Sequence, residues 1–169
     1  MKLRFLAVWM AILCATFFIT GCAVPTKTTN LNQSEVALWR GRLALRVESD
    51  RAQSEPRLLS AGFELSGNAA AGALTLYTPL GSTVAALSWS SQAVSMQTNG
   101  DILYFDSLDA LIKEALGTEI PVAALFAWLA GNNMAVTGWS VDLSQHASGR
   151  ITARRTEPAP PAELRLVLE

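Results

Sequence analysis

The chain has 169 residues, with 13 Lys and Arg against 14 Asp and Glu and a formal net charge of −1. This balance excludes the strongly basic surface that nucleic-acid binding requires. Hydrophobic residues make up 50% of the sequence, and a chain of this length is expected to form one domain with a sizeable apolar core.

Residues 1–21 have the pattern of a signal peptide, because Lys2 and Arg4 precede an uncharged apolar stretch that ends in small residues. The sequence Ile19-Thr20-Gly21-Cys22 resembles the lipobox of bacterial lipoproteins, in which the cysteine is lipidated after cleavage. An ordinary secretory signal that contains a cysteine by chance is the alternative. We predict a lipoprotein signal peptide and lipidation at Cys22, whose acyl chains would anchor the protein durably in a membrane.

Residues 22–36 form a polar stretch without helical periodicity, which predicts a flexible tether. Cleavage before Cys22 removes two basic residues and Cys14, so the mature chain has a formal charge of −3 and one cysteine, which excludes an intrachain disulfide. Ala23 follows the cysteine where inner-membrane lipoproteins often carry Asp. We therefore expect the outer membrane of a Gram-negative bacterium, with the domain facing the periplasm.

The predicted domain, residues 37–169, begins with apolar residues at every second position, a pattern typical of strands with one buried face. Turn signals separate the successive runs, at spacings that suit antiparallel hairpins. Six strands are predicted before residue 106. Their buried faces are represented by Leu43/Leu45/Val47, Phe63/Leu65, Leu74/Leu76, Val84/Ala86, Val94/Met96 and the segment Ile102 to Phe105.

Two short helices are predicted next. Asp106-Ser107 offers an N-cap and Gly117 a C-terminal stop for the first helix. The second helix is predicted from Pro121 to Gly131. Three strands then end the chain, at Trp139 to Leu143, Arg150 to Thr156 and Leu164 to Leu168.

The order of these elements predicts a mainly β (α+β) fold. We expect a curved antiparallel sheet that forms an incomplete β-barrel, with the short helices as a lid over an apolar cavity. Small residues in the strands are compatible with such a cavity, but they equally suit a solid core with the small side chains in solvent. These residues are Ala44, Ala61, Gly62, Ala73, Ala85, Ala86 and Ser88.

Several motifs between residues 39 and 143 resemble the LolB family of outer-membrane lipoprotein receptors. The more specific pair comprises Pro79-Leu80-Gly81-Ser82-Thr83 and the run Gly117-Thr118-Glu119-Ile120-Pro121-Val122 followed by Leu125, Trp128, Leu129 and Gly131. Further similarity lies in Trp39, Gly41-Arg42 and Ala61-Gly62-Phe63.

The resemblance implies an anchored receptor that accepts lipoproteins from LolA, a soluble periplasmic carrier of similar fold, and inserts them into the outer membrane. It implies neither covalent chemistry nor ATP, and no phosphate-binding glycine motif is present in the sequence. The expected partners are the carrier, acylated lipoprotein cargo and outer-membrane lipids, and we expect a monomer. The alternative is a lipid-anchored scaffold or accessory protein without cargo transfer.

Two sets of residues are candidates for this function. Pro79, Leu80 and Gly81 would form a membrane-delivery loop, because Pro and Gly favour a turn that carries a large apolar side chain at its tip. The alternative is that Leu80 folds back over the mouth of the barrel. The second set would line or cover an acyl-chain cavity, with ordinary core packing as the alternative role. It comprises Leu43, Leu45, Phe63, Leu74, Leu76, Val84, Met96, Leu125, Trp128 and Leu129.

We predict neither a catalytic site nor a metal site, and no cofactor besides the covalent lipid on Cys22. His146 has no second histidine or cysteine at ligand spacing, and we expect it at the surface of a turn. Ser144, His146 and Asp142 lack the sequence context of a nucleophile elbow.

Overall fold

The computed structural model describes residues 37–49 and 55–169. The predicted signal peptide (1–21), Cys22 and the tether (22–36) lie outside the described residues and stay predictions. Within the described ranges, no helix combines the length and the hydropathy that a membrane span requires.

The described part of the chain contains nine strands and two helices, which follow one another in the predicted order. The first six strands are β1 (Leu38–Val47), β2 (Arg57–Gly67), β3 (Gly72–Tyr77), β4 (Thr83–Trp89), β5 (Val94–Thr98) and β6 (Asp101–Tyr104). The helices are α1 (Leu108–Leu116) and α2 (Val122–Leu129). The remaining elements are β7 (Trp139–Asp142), a short 3-10 helix (His146–Ser148), β8 (Arg150–Arg155) and β9 (Ala162–Leu168).

The strands form one antiparallel sheet in the order β6-β5-β4-β3-β2-β1-β9-β8-β7. Strand β1 lies near its middle, where Leu43 pairs with Ala61 of β2 on one side and with Leu166 of β9 on the other. Strands β6 and β7 are the two edges of this sheet. The sheet does not close, which confirms the predicted incomplete barrel.

Alternate residues of most strands face the helices and are buried, as the period-two pattern predicts. The predicted ends of α1 are also confirmed. The side chain of Ser107 accepts a hydrogen bond from the backbone of Ala110 at 3.2 Å, and Gly117, at φ 75°, donates its N–H to the carbonyl of Lys113. Helix α2 begins one residue later than predicted, with Pro121 at the N-cap.

The predicted face of β4 is wrong. Ala85, Leu87 and Trp89 are buried, whereas Val84 lies on the opposite face and is 44% exposed. Both sets of alternate positions in this strand are apolar enough to be a core face. Burial of Leu87 and Trp89 removes more apolar surface from water than burial of Val84 and Ala86. This difference decides which face of β4 packs against the core. Val84 is therefore not an interior residue.

Replacement of Gly41 with alanine is expected to destabilise the domain. Gly41 lies where β1 is paired on both sides, and a Cβ there would overlap the backbone oxygen of Val167. The strand would have to shift, at a cost of about 1–3 kcal/mol or more. Gly62→Ala is a matched control on the adjacent strand, because its Cβ would meet only ordinary contacts at 3.5 Å. Urea unfolding of both variants measures the difference, and equal stabilities would contradict the expectation.

Candidate functional site: a helix-covered interior and an exposed loop

The inner face of the sheet and the two helices enclose one apolar cluster. Leu125 packs against it while remaining partly exposed, and Val84 is outside it. The other eight predicted cavity residues belong to the cluster and are buried: Leu43, Leu45, Phe63, Leu74, Leu76, Met96, Trp128 and Leu129. Most of the predicted cavity residues thus lie in the interior.

Most of the described interior is filled by the protein's own side chains. A cleft of about 190 Å³ remains where Leu45 and Leu59 of the sheet meet Leu116 of α1. The clustered residues are 0–6% exposed, so they pack against each other between the described strands and helices. Of the seven small strand residues named in the sequence analysis, Ala61 and Ala85 belong to the buried set, and the others face outward or lie half-buried. A larger ligand would fit this interior only if the helices moved away from the sheet.

Helix α2 holds its position through aromatic contacts with both halves of the sheet. Phe126 meets Trp39 of β1 edge to face, with ring centroids 5.4 Å apart, and lies 6.4 Å from Trp89 of β4. Trp128 lies 5.8 Å from Trp139 of β7 and donates its indole N–H to the carbonyl of Met134 at 3.0 Å. Such pairs contribute about 0.5–1.5 kcal/mol each beyond simple burial.

The joint between the helices, residues 117–121, is fixed against the sheet by Thr118 and Ile120, which are buried. Glu119 points outward and pairs with Lys113 at 2.9 Å. The hydrogen bond from Lys113 lowers the pKa of this carboxyl. The motif that the sequence singled out is thus the short connection between α1 and α2.

Arg155 of β8 is a buried cation that the sequence reasoning missed. Its guanidinium donates to the carbonyl of Glu119 at 3.3 Å and to that of Pro160 at 2.8 Å, and it lies 5.9 Å from the ring of Trp139. Its Nε, also buried, has no hydrogen-bond partner among the described residues. The signal was present in the sequence, because Arg155 falls on the buried face defined by Ile151 and Ala153. Arg155 ties the helix joint to the end of the sheet.

Arg155→Met is expected to destabilise the domain by about 1–3 kcal/mol, because two backbone carbonyls lose their donor. Arg154→Met is the matched control. Arg154 is exposed on the other face of β8 and pairs with Glu163, and such surface pairs contribute about 0–1 kcal/mol. Thermal or urea unfolding measures both, and a destabilisation of Arg155→Met no larger than that of Arg154→Met would contradict the assigned role.

The predicted delivery loop lies between β3 and β4 and has a fixed backbone. Thr78 organises it: its carbonyl accepts from Gly81 N–H at 2.9 Å, and its hydroxyl accepts from Ser82 N–H at 3.1 Å. Gly81 has φ 84°, in the left-handed region that favours glycine. Leu80 is 95% exposed at the tip. The loop thus presents a large apolar side chain directly to its surroundings.

His146 is half-buried rather than a surface residue of a turn. One of its ring nitrogens lies 3.0 Å from the carbonyl of Leu129, at the C-terminal end of α2. Among the described residues, no three His, Cys, Asp or Glu side chains are placed to bind a metal. The contact gives His146 a structural role at the end of the helix.

These features define a class of protein: an open β half-barrel whose apolar interior is covered by two helices, with an apolar side chain on an exposed loop. The model of the family described as outer membrane lipoprotein LolB matches residues 38–157. A protein named outer-membrane lipoprotein LolB from Bordetella petrii is 30% identical, over 95% of this chain and 90% of that protein. The chain belongs to the LolB family.

Two further relatives carry the same name. The protein from Bordetella pertussis is 36% identical over 69% of this chain and 58% of its own length. The protein from Shewanella woodyi is 26% identical over 64% of this chain and 47% of its own length. The family resemblance predicted from the sequence is confirmed.

Proposed function

We propose that this protein is an outer-membrane receptor, anchored by lipid on Cys22, that accepts lipoproteins from the periplasmic carrier LolA and inserts them into the outer membrane. The observation that carries the proposal is Leu80, a leucine 95% exposed at the tip of a hydrogen-bonded loop in a LolB-family domain. Entry of an apolar side chain from that position into a bilayer is favourable, because it removes apolar surface from water. Membership of the LolB family supports the proposal independently.

The interior supplies the place for the acyl chains. The burial of each methylene is worth about 0.8 kcal/mol, and the inner face of the sheet is apolar along its central strands. When α1 and α2 move away from the sheet, the acyl chains replace the side chains of the helices against that face. The burial of the acyl chains then offsets part of the cost of separating the helices from the sheet.

Release to the membrane needs no ATP in this scheme. The interior contacts are apolar and non-directional, and a bilayer offers the same chains an equally apolar environment of larger extent. The cargo therefore moves toward the membrane with a favourable free energy. The polar contact of Arg155 with the helix joint provides a defined closed state to which the empty receptor returns.

The test is a two-stage transfer assay with the full lipoprotein in liposomes. An acylated lipoprotein bound to the carrier is added, and its association with the receptor and then with the lipid is followed over time. We expect acceptance followed by incorporation into the bilayer. Absence of acceptance by a folded receptor would contradict the proposal.

An anchored interaction protein without cargo transfer is the second candidate. The unpaired edge strand β6 favours it, because its backbone can pair with a strand of a partner. This candidate predicts that the domain binds no fluorescent lipid and accepts no cargo. Lipid binding by the folded protein would show that an interaction role alone does not explain the function.

A further inference from the structure

The outer face of the sheet divides into two halves of different chemistry. On β1, β2, β8 and β9 the outward positions carry ion pairs: Arg40 with Glu64 at 2.8 Å, and both Arg154 and Arg165 with Glu163 at 2.6 Å. The hydrogen bond from Arg154 lowers the pKa of Glu163 and so favours its ionised form. This half has the charged surface that a solvated sheet normally presents.

The outward positions of β3, β4, β5 and β6 carry no Asp, Glu, Lys or Arg. Ile102 and Tyr104, 56% and 74% exposed, pair with Gln97 and Ser95, and Val84 is 44% exposed on β4. The remaining outward residues are Ala73, Thr75, Tyr77, Ala86 and Ser88. We refer to this half as the neutral face. A sheet surface of four strands without one ionised group is unusual in water.

We propose that the neutral face is a second membrane-contact surface, which lies against the phospholipid headgroups of the bilayer while Leu80 is inserted. The inference rests on the proposed function, in which Leu80 contacts the membrane. It extends that contact from one side chain to half of the outer surface of the sheet. The receptor would then have a defined orientation on the membrane rather than hanging freely from its tether.

Three observations favour a lipid surface as the occupant. The neutral face is continuous with the delivery loop, because β4 begins directly after that loop and Val84 is the second residue of β4. Its mixture of hydroxyl, amide and aromatic side chains matches the interfacial zone of a bilayer, where tyrosine is enriched. It offers no charge to a protein partner, so it lacks the electrostatic complementarity that steers protein docking.

Because the proposed lipid anchor keeps the domain near the bilayer, even a weak contact between the neutral face and the membrane can form. Residues 22–36 separate the lipidated cysteine from the described domain, and a chain of that length spans at most about 50 Å when fully extended. The domain therefore stays close to the bilayer at all times. Under such confinement a surface that would not bind membranes from solution is occupied much of the time.

The test uses the full mature lipoprotein in vesicles of phosphatidylethanolamine and phosphatidylglycerol that contain a lipid-attached quencher. Once Cys22 is lipidated, a cysteine introduced elsewhere can be labelled selectively with an environment-sensitive dye. Three labelled variants are compared: Gln97→Cys on the neutral face, Val167→Cys on the charged half and Leu80→Cys on the loop. We expect a blue shift and quenching at positions 97 and 80, and neither at position 167.

The three probes separate the two proposals. Quenching at position 80 with none at position 97 would overturn the neutral-face proposal and leave loop insertion standing. No quenching at either position would contradict both. A spectral change at position 97 that depends on protein concentration, or on added carrier, in unquenched vesicles would assign this face to a second copy or to the carrier and would also overturn the proposal.

A matched pair of charge variants provides an independent measurement. Val84 and Val167 are both outward strand valines, 44% and 45% exposed, on opposite halves of the sheet. We expect Val84→Asp to reduce quenching at position 97, and Val167→Asp to leave it unchanged. If Val84→Asp fails to fold, Ile102→Asp on the edge strand serves instead. Equal quenching in the neutral-face and control variants would overturn the proposal.

Discussion

Leu80→Glu is expected to slow delivery of lipoproteins into liposomes by about 30-fold or more, while acceptance from the carrier continues at the parental rate. Insertion of a leucine side chain contributes about 2 kcal/mol, and the carboxylate adds a desolvation cost in the bilayer. Folding is not expected to change, because the side chain is 95% exposed and the backbone of the loop is held by Thr78 and Gly81.

The control for this variant is Leu58→Glu. Leu58 is 76% exposed on the outward face of β2, in the charged half of the sheet. The Leu58→Glu variant replaces a leucine with the same charged residue, but away from the delivery loop. We expect this variant to deliver cargo normally. Leu80→Met keeps an apolar side chain at the tip and should retain most of the delivery rate. Normal delivery by Leu80→Glu would remove the membrane role assigned to the loop.

The period-two pattern predicted the strands well because burial on one face is a local property of the sequence. Leu43, Leu45 and Leu164 fall on the buried face as expected. The end residues differ by one position at several strands, as with β6, which ends at Tyr104 rather than Phe105. Strand ends depend on the pairing partner, which lies elsewhere in the chain and leaves no local signal.

The misplaced features all depend on contacts between distant segments. Val84 was assigned to the interior because both faces of β4 are apolar, and only the neighbouring elements determine which face they cover. Arg155 and His146 bind carbonyls of residues 36 and 17 positions away. The packing of the interior likewise depends on how α1 and α2 pack against the sheet, which involves segments that are distant in the sequence. Periodicity identifies a buried face, but it cannot show whether side chains or a ligand occupy the space beside it.

Trp128→Ala is expected to cost about 3–5 kcal/mol of the free energy of unfolding. The indole is 1% exposed, contacts Trp139, and donates a hydrogen bond to the carbonyl of Met134. Its removal leaves a large cavity and an unpaired acceptor beneath α2. Urea unfolding followed by far-ultraviolet circular dichroism measures the loss without relying on the fluorescence of the deleted residue. A loss below about 1 kcal/mol would mean that α2 repacks freely over the sheet.

Trp128→Phe separates packing from ligand contact. It keeps an aromatic ring but loses the N–H, and a loss of about 1–3 kcal/mol is expected because the carbonyl of Met134 is left without this donor. A domain with this change should remain folded, so its affinity for a fluorescent lipid can be compared with that of the parent. Weaker lipid binding by this folded variant supports Trp128 as part of the acyl-chain site. Unchanged binding assigns Trp128 to the core alone, since a residue that only packs α2 against β7 affects stability without affecting the affinity of the folded state.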